Sequence, residues 1–279
     1  MTRTLTIIGC GKVGQTLARL WHLNDTFAIG DVLNRSVESA RSAVQFIGAG
    51  RVVAGFDDLR PADFVLIAPP DDQIAACSAA LAASGCLTKN SIVFHCSGAS
   101  PSSILEQAQH AGAAIASVHP IRSFAQPEKV VRAFAGTYCG VEGDQRAIDL
   151  LNPLFTAVGA HFVHIDRQKK TLYHAGAVFA SNYMVTLLDT AVQTYVEAGM
   201  SRDDALKIMA TLVRETAENV LQSGPEQALT GPVSRGDVGT VVRQYRAVRK
   251  WHRGYGNLYR QLGKLTRKLA HRRDKRRAS

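Results

Sequence analysis

One apolar segment carries the side chains best suited to acid–base chemistry. Lys170, His174 and Ser181 recur at a spacing that places them on one face of a helix, and Asn182 lies at the margin of that face. The intervening residues are mostly apolar, which predicts a buried helix, and a buried lysine is costly unless a cleft or ligand receives it. We therefore predict a site in which Lys170 donates a proton, and His174 orients it or is itself the acid. Asn182 would hold the substrate; the structural alternatives are a hydrogen-bonded core histidine and an interhelical asparagine bond.

A shaped loop follows at Leu229–Asp237. It contains two glycines, a proline, two hydroxyl side chains and an Arg/Asp pair. Such a loop could present Thr230, Ser234 or Arg235 to an anionic substrate, and we expect Thr230 to help hold it. The alternative is that Arg235 and Asp237 pair and cap the next helix.

Three glycines near the start of the chain form a turn that can bind phosphate. Gly9, Gly11 and Gly14 directly follow an apolar strand and open a helix. Gly9 permits the tight turn, Gly11 lets the backbone approach a pyrophosphate, and Gly14 allows close helix–strand contact. Lys12 and Val13 stand in the first turn of the helix, where free N–H groups bind phosphates. The spacing predicts a dinucleotide site; the alternative is a glycine-rich turn in a fold that has lost its cofactor.

The end of the second predicted strand indicates which dinucleotide binds. Asn34, Arg35 and Ser36 lie about twenty residues beyond the glycines, where the adenosine ribose is expected. An arginine beside a hydroxyl favours a 2′-phosphate through charge-assisted hydrogen bonds, so we predict NADP. Asp31 provides the alternative: if the strand ends earlier, its carboxylate would bind the free ribose hydroxyl of NAD.

Two further strand ends should line the nicotinamide side of the site, because ligands bind at the carboxyl ends of parallel strands. Ala68, Pro69 and Pro70 end one strand, and Ser97 follows another. We expect these residues to contact the cofactor. His119 ends the next strand before a proline, and it has two interpretations, a substrate-binding side chain or part of a rigid turn.

The elements that must position these residues change in kind after the middle of the chain. Residues 1–166 alternate apolar strands with helices, which is typical of an α/β Rossmann domain with a doubly wound, mostly parallel sheet. Residues 167–270 give no strand signal, so we predict an all-α domain that holds the substrate residues, beginning with one long helix, Gln168–Ala198. We expect residues 271–279 to form a disordered basic tail.

Positive charge is concentrated at the C-terminal end. The 279 residues hold 33 Lys and Arg against 23 Asp and Glu, a formal net charge of +10. Residues 243–279 contain 14 Lys and Arg and one acid, so the rest is slightly acidic and nucleic-acid binding is not expected. Five scattered cysteines with no Cys-x-x-Cys pair argue against disulfides and a metal site. The sequence shows neither a signal peptide nor a membrane span, and we expect a cytoplasmic protein.

Several of these motifs are shared with a known group of proteins. They are Gly9–Gly14, Pro69–Asp72, His95–Gly98, His119-Pro120, Tyr173-His174 with Ser181–Tyr183, and Leu229–Asp237. Through them the chain resembles bacterial Rossmann-like NADP oxidoreductases with a C-terminal helical domain of unassigned function. That group is distantly related to 6-phosphogluconate and 3-hydroxyacid dehydrogenases, ketopantoate reductase and pyrroline-5-carboxylate reductase.

The resemblance implies a helical domain like the C-terminal domain of 6-phosphogluconate dehydrogenase, a homodimer, and hydride transfer between NADP(H) and a small carbonyl, hydroxyl or imine substrate. In the hydroxyacid and ketopantoate enzymes, a lysine on the long helix is followed four residues later by asparagine. Lys170 matches that lysine, but His174 stands at the asparagine position. This departure leaves open an alternative function, a catalytically silent NADP(H)-binding sensor or scaffold.

Overall fold

The computed structural model describes residues 3–278 of the chain. Met1, Thr2 and Ser279, which belong to the predicted first domain and tail, lie outside the described residues. The chain divides into two compact units after Phe179. The first unit contains the sheet, and the second is helical.

The strands of the first unit all belong to one sheet. Within residues 3–278 they are β1 Thr4–Ile8, β2 Ala28–Leu33, β3 Arg51–Val53, β4 Phe64–Ile67, β5 Ile92–His95, β6 Ala114–Pro120, β7 Tyr138–Gly143 and β8 His161–His164. Their order is β3-β2-β1-β4-β5-β6-β7-β8, and only β6 and β7 are antiparallel neighbours. The predicted mostly parallel, doubly wound sheet is confirmed. The prediction missed β3, because three residues are too short to give a hydrophobic run.

Helices cover both faces of this sheet. They are α1 Lys12–Leu23, α2 Val37–Ile47, α3 Ile74–Ala83, α4 Glu106–His110, α5 Pro127–Arg132, α6 Gln145–Thr156 and α7 Lys170–Ala180. Successive residues of β5 enter different apolar clusters, Val93 with α3 and Phe94 with α1 and α6, as the alternation of a strand requires. Trp21 packs edge-on against Phe94 and Phe155, with ring centroids 6.3 and 5.1 Å away. The strands are therefore continuous apolar runs in the sequence, because both faces of the sheet are buried.

The prediction of one long helix over Gln168–Ala198 is wrong. Arg167–Lys169 form a 3-10 turn, α7 ends at Ala180, and α8 begins at Asn182. Ser181 between them has φ −127° and ψ −71°, outside the helical region, and its hydroxyl donates to Oδ1 of Asn182 at 3.0 Å. Serine and asparagine compete with the helical backbone for hydrogen bonds, which favours an interruption at this pair. As a result α7 belongs to the first unit, beyond the expected domain boundary at residue 166.

The second unit contains α8 Asn182–Glu197, α9 Arg202–Ser223, α10 Pro225–Ala228, α11 Val238–Trp251 and α12 Arg253–Ala278. The predicted cap of α9 is present, since Ser201 accepts a hydrogen bond from the Asp204 N–H at 3.1 Å. Within the described residues the all-α character of this part is confirmed. A small buried cluster joins Val192 on α8 to Ala205 and Met209 on α9.

The C-terminal residues are helical instead of disordered as predicted, because α12 continues to Ala278. Contacts within the second unit explain this difference: Arg273 donates to the Ser234 carbonyl at 3.2 Å, and Arg272 lies 3.6 Å from the Glu226 carboxylate. Across the described part of the chain, no helix combines the length and apolar character needed to cross a bilayer.

Candidate functional site

The glycine turn lies between the carboxyl ends of β1, β2 and β4. Gly9 has φ +76°, and its N–H donates to the Leu33 carbonyl at 2.8 Å. A Cβ at this position would lie 2.6 Å from the Cα of Pro69. Both the left-handed backbone and this close approach require glycine.

The N-terminus of α1 opens from this turn. Gly11 is its N-cap, with no side-chain hydrogen bond to the cap and no acid in the first turn. The first N–H groups of a helix lack intrahelical partners and carry partial positive charge, so they favour an anion. A Cβ at Gly11 would meet no atom within 4 Å, which leaves the backbone approachable. The turn therefore fits a pyrophosphate.

Gly14 lies close to the strands as predicted, but this contact does not require a glycine. A Cβ there would lie 3.5 Å from Ile7 and 3.6 Å from Ala68, which is ordinary van der Waals contact. Lys12 also turns elsewhere, since its ammonium donates to the Ala125 carbonyl at 3.0 Å. Val13 is partly buried against the core. At the N-terminus of α1, the groups that a ligand can reach are therefore the backbone N–H groups and Gly11.

A groove of about 1030 Å³ extends from the turn along the strand ends. The predicted cofactor residues that line it are Gly9, Gly11, Asn34, Arg35, Ala68, Pro69 and Pro70. The sequence analysis missed other lining residues, among them Gln15, Ser39, Ser42, Phe56, Asp72 and Gln73. Lys12, Val13, Gly14, Ser36 and Ser97 are not among the lining residues.

Arg35 and its neighbours form the adenosine end expected from the sequence. Asn34 accepts the Cys10 N–H through Oδ1 at 2.5 Å, so it holds the glycine turn while it also lines the groove. Ser36 accepts the Ser39 N–H at 3.2 Å and caps α2. Arg35 is exposed on the groove, which leaves its guanidinium as the cation at this end.

Asp31 is not available as a ribose ligand. It lies within β2, its side chain is 1% exposed, and it forms ion pairs with Arg51 and Arg60, both at 2.7 Å. Burial alone would raise the pKa of this carboxyl, but hydrogen bonds from the two arginines outweigh it and lower the pKa to about 2. The alternative interpretation of Asp31 as an NAD determinant is therefore wrong, because the strand continues to Leu33.

A second cluster lies around Gly98, which follows β5. His119 at the end of β6 and His174 on α7 have ring centroids 5.6 Å apart. A Cβ at Gly98 would collide with Nδ1 of His174 and would lie 2.7 Å from Nε2 of His119, so both nitrogens face one point. A hydrogen bond of 2.9 Å joins Nδ1 of His119 to the Tyr173 hydroxyl.

The ionisation of this cluster follows from its burial. Desolvation, with smaller effects from His174 and Lys170, lowers the pKa of His119 to about 4. Desolvation also raises the pKa of Tyr173 to about 12. Nδ1 of His174 is buried and has no hydrogen-bond partner among the described residues. A buried imidazole nitrogen without a partner is costly, so this atom is the unsatisfied polar group of the cluster.

Lys170 is buried as predicted, and its ammonium is held by polar side chains of β6 and β7. Its side chain is 1% exposed, and its ammonium lies 3.2 Å from Glu142 and donates to the Ser117 hydroxyl. Burial lowers the pKa of Lys170, while Glu142 opposes that shift. The ammonium is held in an interior ion pair, and its role as the proton donor stays a prediction. The sequence offered one signal for Glu142, an acid inside an otherwise apolar strand.

Ser97 lies near this cluster and not in the groove. Its hydroxyl donates to Asp71 at 2.7 Å and accepts the N–H groups of Ala99 and Ser100 at 3.2 and 3.0 Å. These contacts fix the loop after β5, which contains Gly98. Ser97 therefore contributes to the site by holding the backbone of this loop in place.

The remaining predicted residues belong to the second unit. Asn182 is exposed, and because the helix is interrupted at Ser181, its spacing from Lys170 no longer implies a shared face. Thr230 and Arg235 are also exposed. Asp237 accepts the Thr240 N–H at 2.9 Å and caps α11, which matches the capping part of the alternative interpretation.

Two family models match the chain. Residues 2–120 match the Rossmann-like domain, and residues 137–266 match DUF2520, a domain of unknown function. The second match begins at β7, so it includes the last strands of the sheet as well as the helical unit. No curated protein matches the chain.

Solved structures share the fold over nearly the whole chain. TM1727 of Thermotoga maritima is 27% identical, with 96% of this chain and 98% of that chain covered and a TM-score of 0.76. BF3122 of Bacteroides fragilis, a candidate NADP oxidoreductase, is 20% identical over 96% and 98%, with a TM-score of 0.77. Pyrroline carboxylate reductase of Plasmodium falciparum with NADP bound is 13% identical over 96% and 98%, with a TM-score of 0.59. The chain therefore matches the Rossmann-like and DUF2520 models one after the other, which confirms its resemblance to Rossmann-like proteins with a C-terminal helical domain of unassigned function.

Proposed function

We propose that the protein is an NADP(H)-dependent oxidoreductase that transfers a hydride between the cofactor and a small carbonyl, hydroxyl or imine compound. The observation that carries this proposal is the uncapped N-terminus of α1, which opens beside a groove where Gly9 and Gly11 bring the backbone within reach of a ligand. The names of two structural neighbours, an NADP oxidoreductase candidate and a reductase with NADP bound, support the same activity.

The adenosine end of the groove supports a preference for NADP. Arg35 is exposed there, and Ser39 on α2 also lines the groove. A guanidinium and a hydroxyl suit a 2′-phosphate. Asp31, the carboxylate expected to repel that phosphate, is turned inward and neutralised by Arg51 and Arg60.

Reduction of a carbonyl or imine needs a proton source beside the substrate oxygen or nitrogen, since the cofactor would supply only the hydride, to carbon. His174 is the residue we assign to this task, because its buried Nδ1 lacks a partner and faces the point at Gly98. His119 is neutral near pH 7, since burial lowers its pKa to about 4, and we assign its Nε2, which also lies beside Gly98, to orienting the substrate. Tyr173 holds His119 through the bond to Nδ1.

Fluorescence titration of the protein with NADPH and NADH tests the cofactor assignment. We expect tighter binding of NADPH, and we expect Arg35→Gln to weaken NADPH at least tenfold while leaving NADH unchanged. Arg41→Gln is the matched control, because Arg41 is an exposed residue of α2 that is not among the groove residues. Equal loss of both nucleotides, or equal loss in both variants, would contradict the assignment.

Turnover separates the oxidoreductase from the sensor or scaffold. NADPH oxidation against a panel of keto acids, aldehydes and cyclic imines should reveal at least one substrate, and His174→Gln should lower turnover by about 10²–10⁴, the usual worth of acid–base assistance. Tight NADPH binding with no turnover across the panel would favour the sensor.

We also propose that two copies associate through the second unit. Three apolar side chains of α9 are strongly exposed, Leu206 at 43%, Ile208 at 50% and Leu212 at 54%. Ile208 and Leu212 are four residues apart and share a face of α9, and apolar exposure of this kind marks an interaction surface. Sedimentation velocity should give a dimer that Leu212→Glu dissociates and the exposed control Glu218→Gln preserves; a monomeric parent protein would contradict the proposal.

A further inference from the structure

The antiparallel pair of β6 and β7 presents two successive cross-strand pairs to the start of α7. Ser117 lies opposite Glu142, and His119 lies opposite Gly140. Residues two apart on a strand share a face, as do residues directly opposite each other. All four positions therefore belong to one face of the sheet.

The first turn of α7 contacts both pairs. Lys170 reaches the first, with its ammonium 3.2 Å from Glu142 and bonded to the Ser117 hydroxyl. Tyr173 reaches the second, with its hydroxyl bonded to Nδ1 of His119 at 2.9 Å. Residues three apart lie on the same face of a helix, so these two side chains fix both the position of the helix along the strands and its rotation.

Tyr173 lies over Gly140 and leaves no room for a side chain at that position. A Cβ at Gly140 would collide with the Tyr173 hydroxyl and would lie 3.2 Å from its Cε2 atom. The second contact therefore depends on the absence of a side chain at this position of β7.

Glu142 holds the first contact from several directions. Its carboxylate accepts the Ser102 N–H and the Ser102 hydroxyl, both at 2.7 Å, and the Nε–H of Arg167 at 3.1 Å. Arg167 belongs to the turn that leads directly into α7. The carboxylate thus joins the loop after β5 to the start of the helix, and with 5% exposure it does so out of water.

We propose that Glu142 is a positioning residue: by fixing the first turn of α7 it places Nδ1 of His174 beside Gly98 and Nε2 of His119. The proposal rests on the proposed function in that His174 is there the proton source. Burial would raise the pKa of Glu142, but Ser102 and Lys170 outweigh it and lower the pKa, so the carboxylate stays charged and keeps Lys170 in place.

The test is the ¹⁵N chemical shifts of the histidine ring nitrogens in the full chain, recorded without nucleotide. Glu142→Gln keeps the size of the side chain and removes its charge, and we expect the ring nitrogens of both His119 and His174 to shift as α7 moves. Gly140→Ala, which displaces Tyr173 directly, should change His119 in the same direction. Glu106→Gln, the same chemical change at an exposed residue of α4, should change neither histidine.

The double variant Glu142→Gln/Lys170→Met covers the case in which the single variant does not fold, because it removes the buried ammonium as well. Shifted histidine signals in a folded variant would support the proposal. Parent-like signals in folded Glu142→Gln or the folded double variant, or equal shifts in Glu106→Gln, would overturn it. If neither variant folds, Glu142 is a core residue only, and the positioning role is overturned. Since no nucleotide is present, failure to bind NADPH would reject the proposed function without altering this result.

Discussion

The three glycines of the turn should respond differently to replacement by alanine, because each has different surroundings in the structure. Gly9→Ala forces a left-handed backbone on alanine, at a cost of about 1–2 kcal/mol. It also drives a Cβ to within 2.6 Å of the Pro69 Cα, and overpacking against a backbone adds about 1–3 kcal/mol. We therefore expect the free energy of unfolding to fall by about 2–5 kcal/mol.

The other two glycines supply internal comparisons. At Gly14 the new methyl group makes ordinary contacts at 3.5 Å and beyond, and alanine is the better helix former, so stability should stay level or rise by up to about 1 kcal/mol. At Gly11 the methyl group meets open space. There we expect a loss of about 1 kcal/mol or less from the N-cap, together with at least tenfold weaker NADPH binding, which corresponds to about 1.4 kcal/mol.

Urea unfolding followed by tryptophan fluorescence measures these changes. The chain has two tryptophans, and a Trp251→Phe background leaves Trp21, fully buried in the sheet unit, as the reporter. A Gly9→Ala variant as stable as its parent, or a Gly14→Ala variant destabilised as much as Gly9→Ala, would refute the reasoning from the turn geometry. NADPH binding by Gly11→Ala at parental affinity would refute the placement of the pyrophosphate.

Three further outcomes follow from the buried charges. The pKa of Asp31 is depressed from 3.8 to about 2, so its contribution to stability is present above pH 3.8 and is lost as the pH falls toward 2; Asp31→Asn should flatten the urea midpoint across that interval. The pKa of His119 is lowered from 6.5 to about 4, so the unfolded chain binds more protons in that range and stability should rise with pH from 4 to 6.5, a slope that His119→Gln removes. Lys170→Met leaves the Glu142 carboxylate without its buried cation and should cost about 3–5 kcal/mol of stability with NADPH affinity unchanged, since Lys170 is not among the groove residues; a large loss of NADPH affinity would contradict this.

The parts of the fold that the sequence predicts are those with a local signal. The strands read as apolar runs because both sheet faces are covered, and Gly9 is conspicuous because its backbone conformation and its contact with Pro69 exclude other residues. The burial of Lys170 was also predictable from its apolar neighbours. These features depend on a few adjacent residues, and the sequence displays them directly.

The parts that the sequence does not predict depend on pairings between distant segments. The sequence left Asp31 as an alternative ribose ligand. In the structure, β3 and the loop after it place Arg51 and Arg60 in ion pairs with its carboxylate. The ion pair of Glu142 could not be predicted either, because its partner Lys170 lies 28 positions away in the sequence. The interruption at Ser181 was missed because a periodic pattern continues across it. Tertiary contacts decide each of these cases, and composition and spacing do not report them.

The central claim is that a dinucleotide diphosphate binds at the N-terminus of α1. Two-dimensional amide ¹H–¹⁵N spectra of the protein, recorded during titration with NADPH, test this claim most directly. We predict that the amide signals of Gly11, Lys12 and Val13 shift and saturate at one equivalent, while those at the far end of α12 do not. Unchanged signals in the glycine turn at saturating NADPH, or shifts confined to other parts of the chain, would contradict the account.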